Sequence, residues 1–97
     1  MTSIRLEGNV WHVTGEILMD NANAVLTDSN AFKIENDLNI NLSGVTDVDT
    51  AALSLLLEWQ RRALAANKKV TFTHLPESLM SLAALYGVAD FIPATAS

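Results

Sequence analysis

Short segments with the composition or the alternation of half-buried strands recur along the chain. Leu38–Leu42 and Lys69–Thr73 alternate apolar and polar residues, and Val10–Thr14 is rich in β-branched and aromatic residues. Ile4 and Leu6 predict an earlier strand, which turns back through the Gly8-Asn9 pair as a hairpin. These patterns predict a sheet.

Between the strands, apolar residues recur at spacings of three and four, which is typical of amphipathic helices. The spacing predicts a first helix over about Ala22–Ile34 and a second over about Thr50–Ala66. A third begins at Pro76 and ends before Gly87, while the tail Pro93–Ser97 is expected to be frayed.

The second helix has a leucine face, and this face is predicted to enter the core. It consists of Leu53, Leu56, Leu57 and Leu64. Leu55 and Trp59 lie away from it. Two interpretations remain open for these two side chains: a neighbouring helix covers them, or they form an apolar contact surface for another protein.

The order strand, strand, helix, strand, helix, strand, helix predicts an α/β domain. Strands that are connected through helices lie parallel, and a hairpin adds an antiparallel pair, so the sheet is expected to be mixed. The length of 97 residues favours one domain over residues 1–97.

Composition and charge exclude several classes of protein. The chain has no cysteine and a net charge of −5, which disfavours disulfides, nucleic acid and anionic lipid as partners. No apolar run approaches the roughly 18–20 residues of a membrane span, so direct membrane insertion is not expected. The N-terminus lacks the pattern of a signal peptide, and a cytoplasmic location is therefore expected.

Catalytic motifs are absent from the sequence. His12 and His74 lie in separate segments without the spacing of a metal site, and the glycines form neither a nucleophile elbow nor a phosphate loop. Asp47 and Asp49 form a carboxylate pair, which suits a turn residue and a helix cap better than a catalytic dyad. We therefore expect no enzymatic activity, no metal and no cofactor.

The most informative segment lies in mid-chain, where a buried strand, an acidic loop over residues 46–49 and a helix are predicted in succession. The helix opens at Thr50. Backbone N–H groups in a first helical turn have no intrahelical partner and carry partial positive charge. The Thr50 hydroxyl can therefore cap the helix, carry a phosphate or contact a partner protein.

This segment resembles the STAS domain family of sulfate-transporter and anti-sigma-factor-antagonist domains. The matching runs are residues 41–45 and 48–57, with Val13–Leu18 similar to the family's early strand. The Val-Asp-Thr opening at residues 48–50 and the run 82–88 look most like the MlaB branch, a subunit of the Mla phospholipid-transport ABC complex. The resemblance implies a four- or five-stranded sheet with helices mainly on one face, and no catalysis.

The resemblance also implies a partner. In the MlaB branch this is the ATPase subunit of the ABC transporter; in anti-sigma-factor antagonists it is a kinase, which phosphorylates a serine or threonine at the position of Thr50. Ala51-Ala52 follows here, where the antagonists usually have a small polar residue and a glycine, so simple contact is favoured over phosphorylation. A plain small-ligand binder is a third possibility. The predicted partner-binding residues are Thr46, Asp47, Asp49, Thr50 and Ser54.

Overall fold

Five strands form one mixed sheet in the computed structural model, which describes residues 2–92 and the backbone of residues 94–95. The strands are β1 (Ser3–Glu7), β2 (Val10–Ile17), β3 (Leu38–Val48), β4 (Val70–Thr73) and β5 (Ala94–Thr95). They lie in the order β1-β2-β3-β4-β5, with β1 antiparallel to β2 and every other neighbouring pair parallel. The predicted α/β class, hairpin and mixed sheet are confirmed.

The chain end departs from its prediction where it is described. Residues Ala94–Thr95 pair with β4 instead of fraying. Pro93, Ala96 and Ser97 lie outside the described residues.

Three helices connect the parallel strands. They are α1 (Ala22–Ser29), α2 (Thr50–Ala65) and α3 (Glu77–Leu85), and a short 3-10 turn, Ala89–Phe91, precedes β5. The first helix ends five residues before the predicted Ile34. Arg62 of α2 donates to the carbonyl oxygens of Ser29 at 3.2 Å and Phe32 at 2.8 Å, and so holds the chain in a turn after the last helical residue. None of the described helices has the length and apolar character needed to span a membrane.

One face of the sheet is apolar and the other is polar. The buried positions of the central strands include Trp11, Val13, Ile40, Leu42 and Phe72, which form one core with the helices. The alternate positions carry mainly polar side chains, among them His12, Thr14, Asn39, Asn41 and Thr71. Since side chains alternate across a strand, the helices pack on the apolar face and leave the polar face open.

The core face of α2 is rotated from the predicted leucine face. The fully buried positions are Ala52, Leu56, Trp59 and Ala63, which follow one another at helical spacing, whereas Leu64 is 64% exposed. The prediction of Leu64 as a core residue is therefore wrong. Small alanines bring this face close to the sheet, and a stripe defined by leucines alone does not detect them.

Trp59 is covered within the domain, in agreement with the interpretation that a neighbouring helix covers it. Its ring lies edge-on to Trp11 with the centroids 5.7 Å apart, and its Nε1 donates to the Ser29 hydroxyl at 2.8 Å. Leu55 is only 3% exposed. The interpretation of these two side chains as an exposed contact surface is wrong.

Strand β3 is longer than predicted and leads directly into α2. It continues beside β2 as far as Val48, through two irregularities in the pairing, so residues 46–48 are strand and not an acidic loop. Only Asp49 separates the strand from the helix. The predicted loop is wrong because backbone pairing with Gly15, Glu16 and Ile17 extends to the end of β2.

Candidate functional site

Asp49 fixes the beginning of α2. Its Oδ1 accepts from the backbone N–H of Ala51 at 2.8 Å, which makes it the N-cap. Its Oδ2 accepts from the backbone N–H of Met19, also at 2.8 Å, and this bond ties the β2–α1 connection to the start of α2. Both carboxylate oxygens therefore have structural partners.

Thr50 is the first residue of α2 and is half-buried. Within the part of the chain that the structure describes, its hydroxyl takes part in no hydrogen bond. Of the three roles open to this hydroxyl, helix capping is performed by Asp49. Phosphate attachment and partner contact remain as hypotheses.

A shallow open groove of about 460 Å³ lies between α1 and α2, beside Thr50. It is lined by Met19, Ala22, Asn23, Leu26, Thr50, Ala51, Ser54, Leu55 and Glu58. Its surface combines apolar side chains with a few hydroxyl, amide and carboxylate groups. Such a surface suits contact with a protein segment or another ligand of mixed polarity.

The predicted site residues divide into two groups. Thr50 and Ser54 line the groove, and Asp49 caps the helix at its end. Thr46 and Asp47 are exposed residues of β3 and do not line it. Asp47 pairs in register with Glu16 of β2, and its Oδ1 accepts from the Val48 N–H at 3.0 Å. It therefore lies at the carboxyl end of β3, beside the start of α2.

Sequence reasoning missed the second wall of the groove. Met19 precedes α1, while Ala22, Asn23 and Leu26 lie on it. The predicted element order contained a signal for this wall. The carboxyl ends of neighbouring parallel strands lie at the same end of a sheet, and the connections that follow them meet there. Once β2 and β3 are recognised as parallel neighbours, α1 becomes a neighbour of α2.

The charge at the far end of the groove is neutralised. Arg61 donates through Nε to Glu58 Oε2 at 3.1 Å. This hydrogen bond is the main cause that lowers the pKa of the Glu58 carboxyl and raises that of the Arg61 guanidinium. Glu58 is therefore ionised and paired at neutral pH, and its charge is largely cancelled.

No arrangement of metal ligands accompanies the groove. Among residues 2–92, no three His, Asp or Glu side chains are grouped so that they could hold a metal ion. His12 is half-buried on the polar sheet face, 3.5 Å from Glu7, and His74 is exposed after β4. The groove offers a contact surface and the hydroxyls of Thr50 and Ser54.

The chain belongs to the STAS domain family, since it matches the family model described as "Mlab, STAS domain" over residues 1–93. A curated relative is the intermembrane phospholipid transport system binding protein MlaB of Haemophilus influenzae. It is 35% identical over 52 residues, which cover 54% of this chain and 50% of that protein. The match thus spans about half the length of the curated relative.

Solved structures share the fold across the chain. A putative anti-sigma factor antagonist from Thermotoga maritima superposes with a TM-score of 0.79, at 14% identity, covering 99% of this chain and 86% of that one. The anti-sigma factor antagonist SpoIIAA in its unphosphorylated form gives 0.72 at 10% identity, covering 100% and 90%. At these identities the likeness concerns the fold.

Proposed function

We propose that this protein is a non-enzymatic accessory subunit that binds the ATPase of an ABC-type phospholipid transporter through the start of α2. The observation that carries the proposal is the groove beside Thr50, whose hydroxyl has no hydrogen-bond partner among the described residues. The similarity to MlaB supports a transporter as the context. The contact consists of Thr50 and Ser54 in the groove and of Thr46, Asp47 and Asp49 at its end.

Affinity purification from the native cell, with the tag away from α2, tests this proposal. The expected result is recovery of a transporter ATPase with the wild-type chain and reduced recovery with Thr50→Glu. A matched control is Ser78→Glu, which adds the same charge at the exposed start of α3 and should leave recovery unchanged. Recovery of a sigma-regulating kinase without any transporter ATPase would reject the proposal.

A second candidate function is an anti-sigma-factor antagonist that is switched by phosphorylation of Thr50. The position of this hydroxyl at a helix N-terminus favours it, because the N-terminal N–H groups and the macrodipole accept negative charge. Asp47 and Asp49 repel the added charge, while the helix N-terminus stabilises it. The phosphate should therefore disturb partner binding and leave the domain folded. Intact mass of the chain isolated from cells tests this function: a chain that is never about 80 Da heavier in any growth condition contradicts it.

A further inference from the structure

The α2 wall of the groove has the length of a short bound helix. Its lining positions extend from Thr50 to Glu58 and repeat at spacings of three to four residues. At 1.5 Å per residue this wall is about 12 Å long. A partner helix that presents apolar residues at positions i, i+4 and i+7 covers a similar distance.

The side chains of the groove permit close approach of such a helix. Ala22 on one wall and Ala51 and Ser54 on the other are small. Met19 is 74% exposed at the end of the groove, and its flexible thioether adapts readily to an apolar partner. The groove thus combines room for a helix with apolar surface that a partner can bury.

The charge around the groove further restricts the kind of partner that can bind there. Residues 10–32 and 38–60, which build β2, β3, α1 and most of α2, contain six carboxylates and neither lysine nor arginine. Glu58 is paired with Arg61, but Glu16, Asp20 and Asp47 are exposed near the start of α2. A partner with positive charge at this end complements the surface, and one with negative charge is repelled.

We propose that the groove between α1 and α2 binds an amphipathic helix of the partner ATPase, with the partner's lysine or arginine residues beside Glu16, Asp20 and Asp47. This inference rests on the proposed function for the identity of the partner. The apolar side of the helix packs against Met19, Leu26 and the small residues of the groove. The basic residues set the direction in which the helix lies.

Site-specific photo-crosslinking in the native cell tests the occupant. A benzoylphenylalanine replaces Asn23, an exposed residue of the groove, or, as a control, the exposed Ser81 of α3. The expected result is a crosslink from position 23, and none from position 81, to a helix of the ATPase with an apolar stripe and flanking basic residues. A crosslink from position 23 to a loop, to an acidic helix or to a different protein overturns the inference.

Failure of the inference is distinguishable from failure of the proposed function. If the ATPase is recovered with the position-23 variant but no crosslink forms, the proposed function stands and the helix in the groove is rejected. If the crosslinked protein is a sigma-regulating kinase, both are rejected.

Charge variants with the captured ATPase provide a second test. The near variant carries Glu16→Gln, Asp20→Asn and Asp47→Asn, and the remote variant carries Glu35→Gln, Glu77→Gln and Asp90→Asn. Each removes three exposed carboxylates and changes the net charge from −5 to −2 (−5 + 3). The near variant alone should associate about ten-fold more slowly at low salt. The difference should vanish at 1 M salt, where the Debye length is about 3 Å. Equal rates for both variants overturn the charge assignment.

Discussion

At the scale of single residues, Asp49 carries the structure of the helix start and leaves the Thr50 hydroxyl without a capping task. Asp49 serves two backbone N–H groups, one in its own helix and one in the β2–α1 connection. Because the two residues have separate roles, a substitution at Asp49 should change stability, and one at Thr50 should change partner binding.

Asp49→Ala should lower the free energy of unfolding by about 1–2 kcal/mol, since it removes the N-cap. Asp49→Asn should cost less, because its single carbonyl oxygen can still cap the helix while the Met19 N–H loses its partner. Denaturant unfolding measures the stabilities, and hydrogen exchange at the Met19 amide reports the second bond. An alanine variant as stable as wild type would show that Asp49 is not the effective cap.

Thr50→Ala should cost at most about 1 kcal/mol, because Asp49 still caps α2. Thr50→Glu should also fold, since a carboxylate in the first helical turn is favoured by the macrodipole. Both should weaken partner binding. Leu56→Ala, in contrast, should cost about 2–5 kcal/mol by opening a cavity in the core. Thermal melts and partner capture are measured on all three. Thr50 variants that bind like wild type would exclude it from the interface.

At the scale of elements, the β2–β3 pair leaves no room for a side chain at Gly44. A Cβ there would lie 2.6 Å from Cγ2 of Thr14 and 3.2 Å from the carbonyl oxygen of Val13. Gly44→Ala should therefore destabilise the domain by about 1–3 kcal/mol, as overpacking usually does. Thr14→Ser removes the nearest methyl and should restore part of the loss in the double variant. If the double variant is no more stable than Gly44→Ala, the Thr14 methyl is not the obstacle.

Ser29 and Trp59 connect α1 to α2 through a buried hydrogen bond. Ser29→Ala leaves the buried Trp59 Nε1 without its partner and should cost about 1–3 kcal/mol. Adding Trp59→Phe removes the orphaned donor, so the double variant should be more stable than the sum of the single losses predicts. A double-mutant cycle measures this coupling. Additive losses would show that the bond contributes little beyond packing.

The elements themselves were predictable, and their contacts were less so. Alternation in Leu38–Leu42 and helical spacing after Thr50 are local patterns that survive in the structure. The end of α1 at Ser29 depends on Arg62, which lies 33 residues further along the chain. The length of β3 depends on pairing with β2. Such long-range bonds override local preference, and no single window of sequence contains both partners.

In the candidate site, too, local features were predictable from the sequence and long-range contacts were not. The fold class and Thr50 at the first position of a helix follow from local signals and from the resemblance. The opposite wall, with Met19 and Leu26, requires the order of strands in the sheet. Burial of Trp59 required knowledge that Trp11 and Ser29 converge on it.

At the scale of the whole molecule, unbalanced negative charge lies at one end of the sheet. Glu16, Asp47 and Asp49 lie where the parallel strands end. Where the strands begin, Lys33, Lys68 and Lys69 are balanced by Glu7, Glu35 and Asp37. The proposed partner surface occupies the acidic end. An approaching protein with a basic surface is therefore oriented before contact, and its rate of association should fall as salt increases.

The single-residue passage from β3 to α2 has a consequence for the entropy of association. A surface on a long loop must lose conformational freedom when a partner orders it, and that loss weakens the complex. Here the helix start continues a strand whose last residues are paired with β2 as far as Val48, so its backbone is already restrained before any partner arrives. Complex formation at this place should need little rearrangement of the domain, and most of the free energy of contact should remain available as affinity.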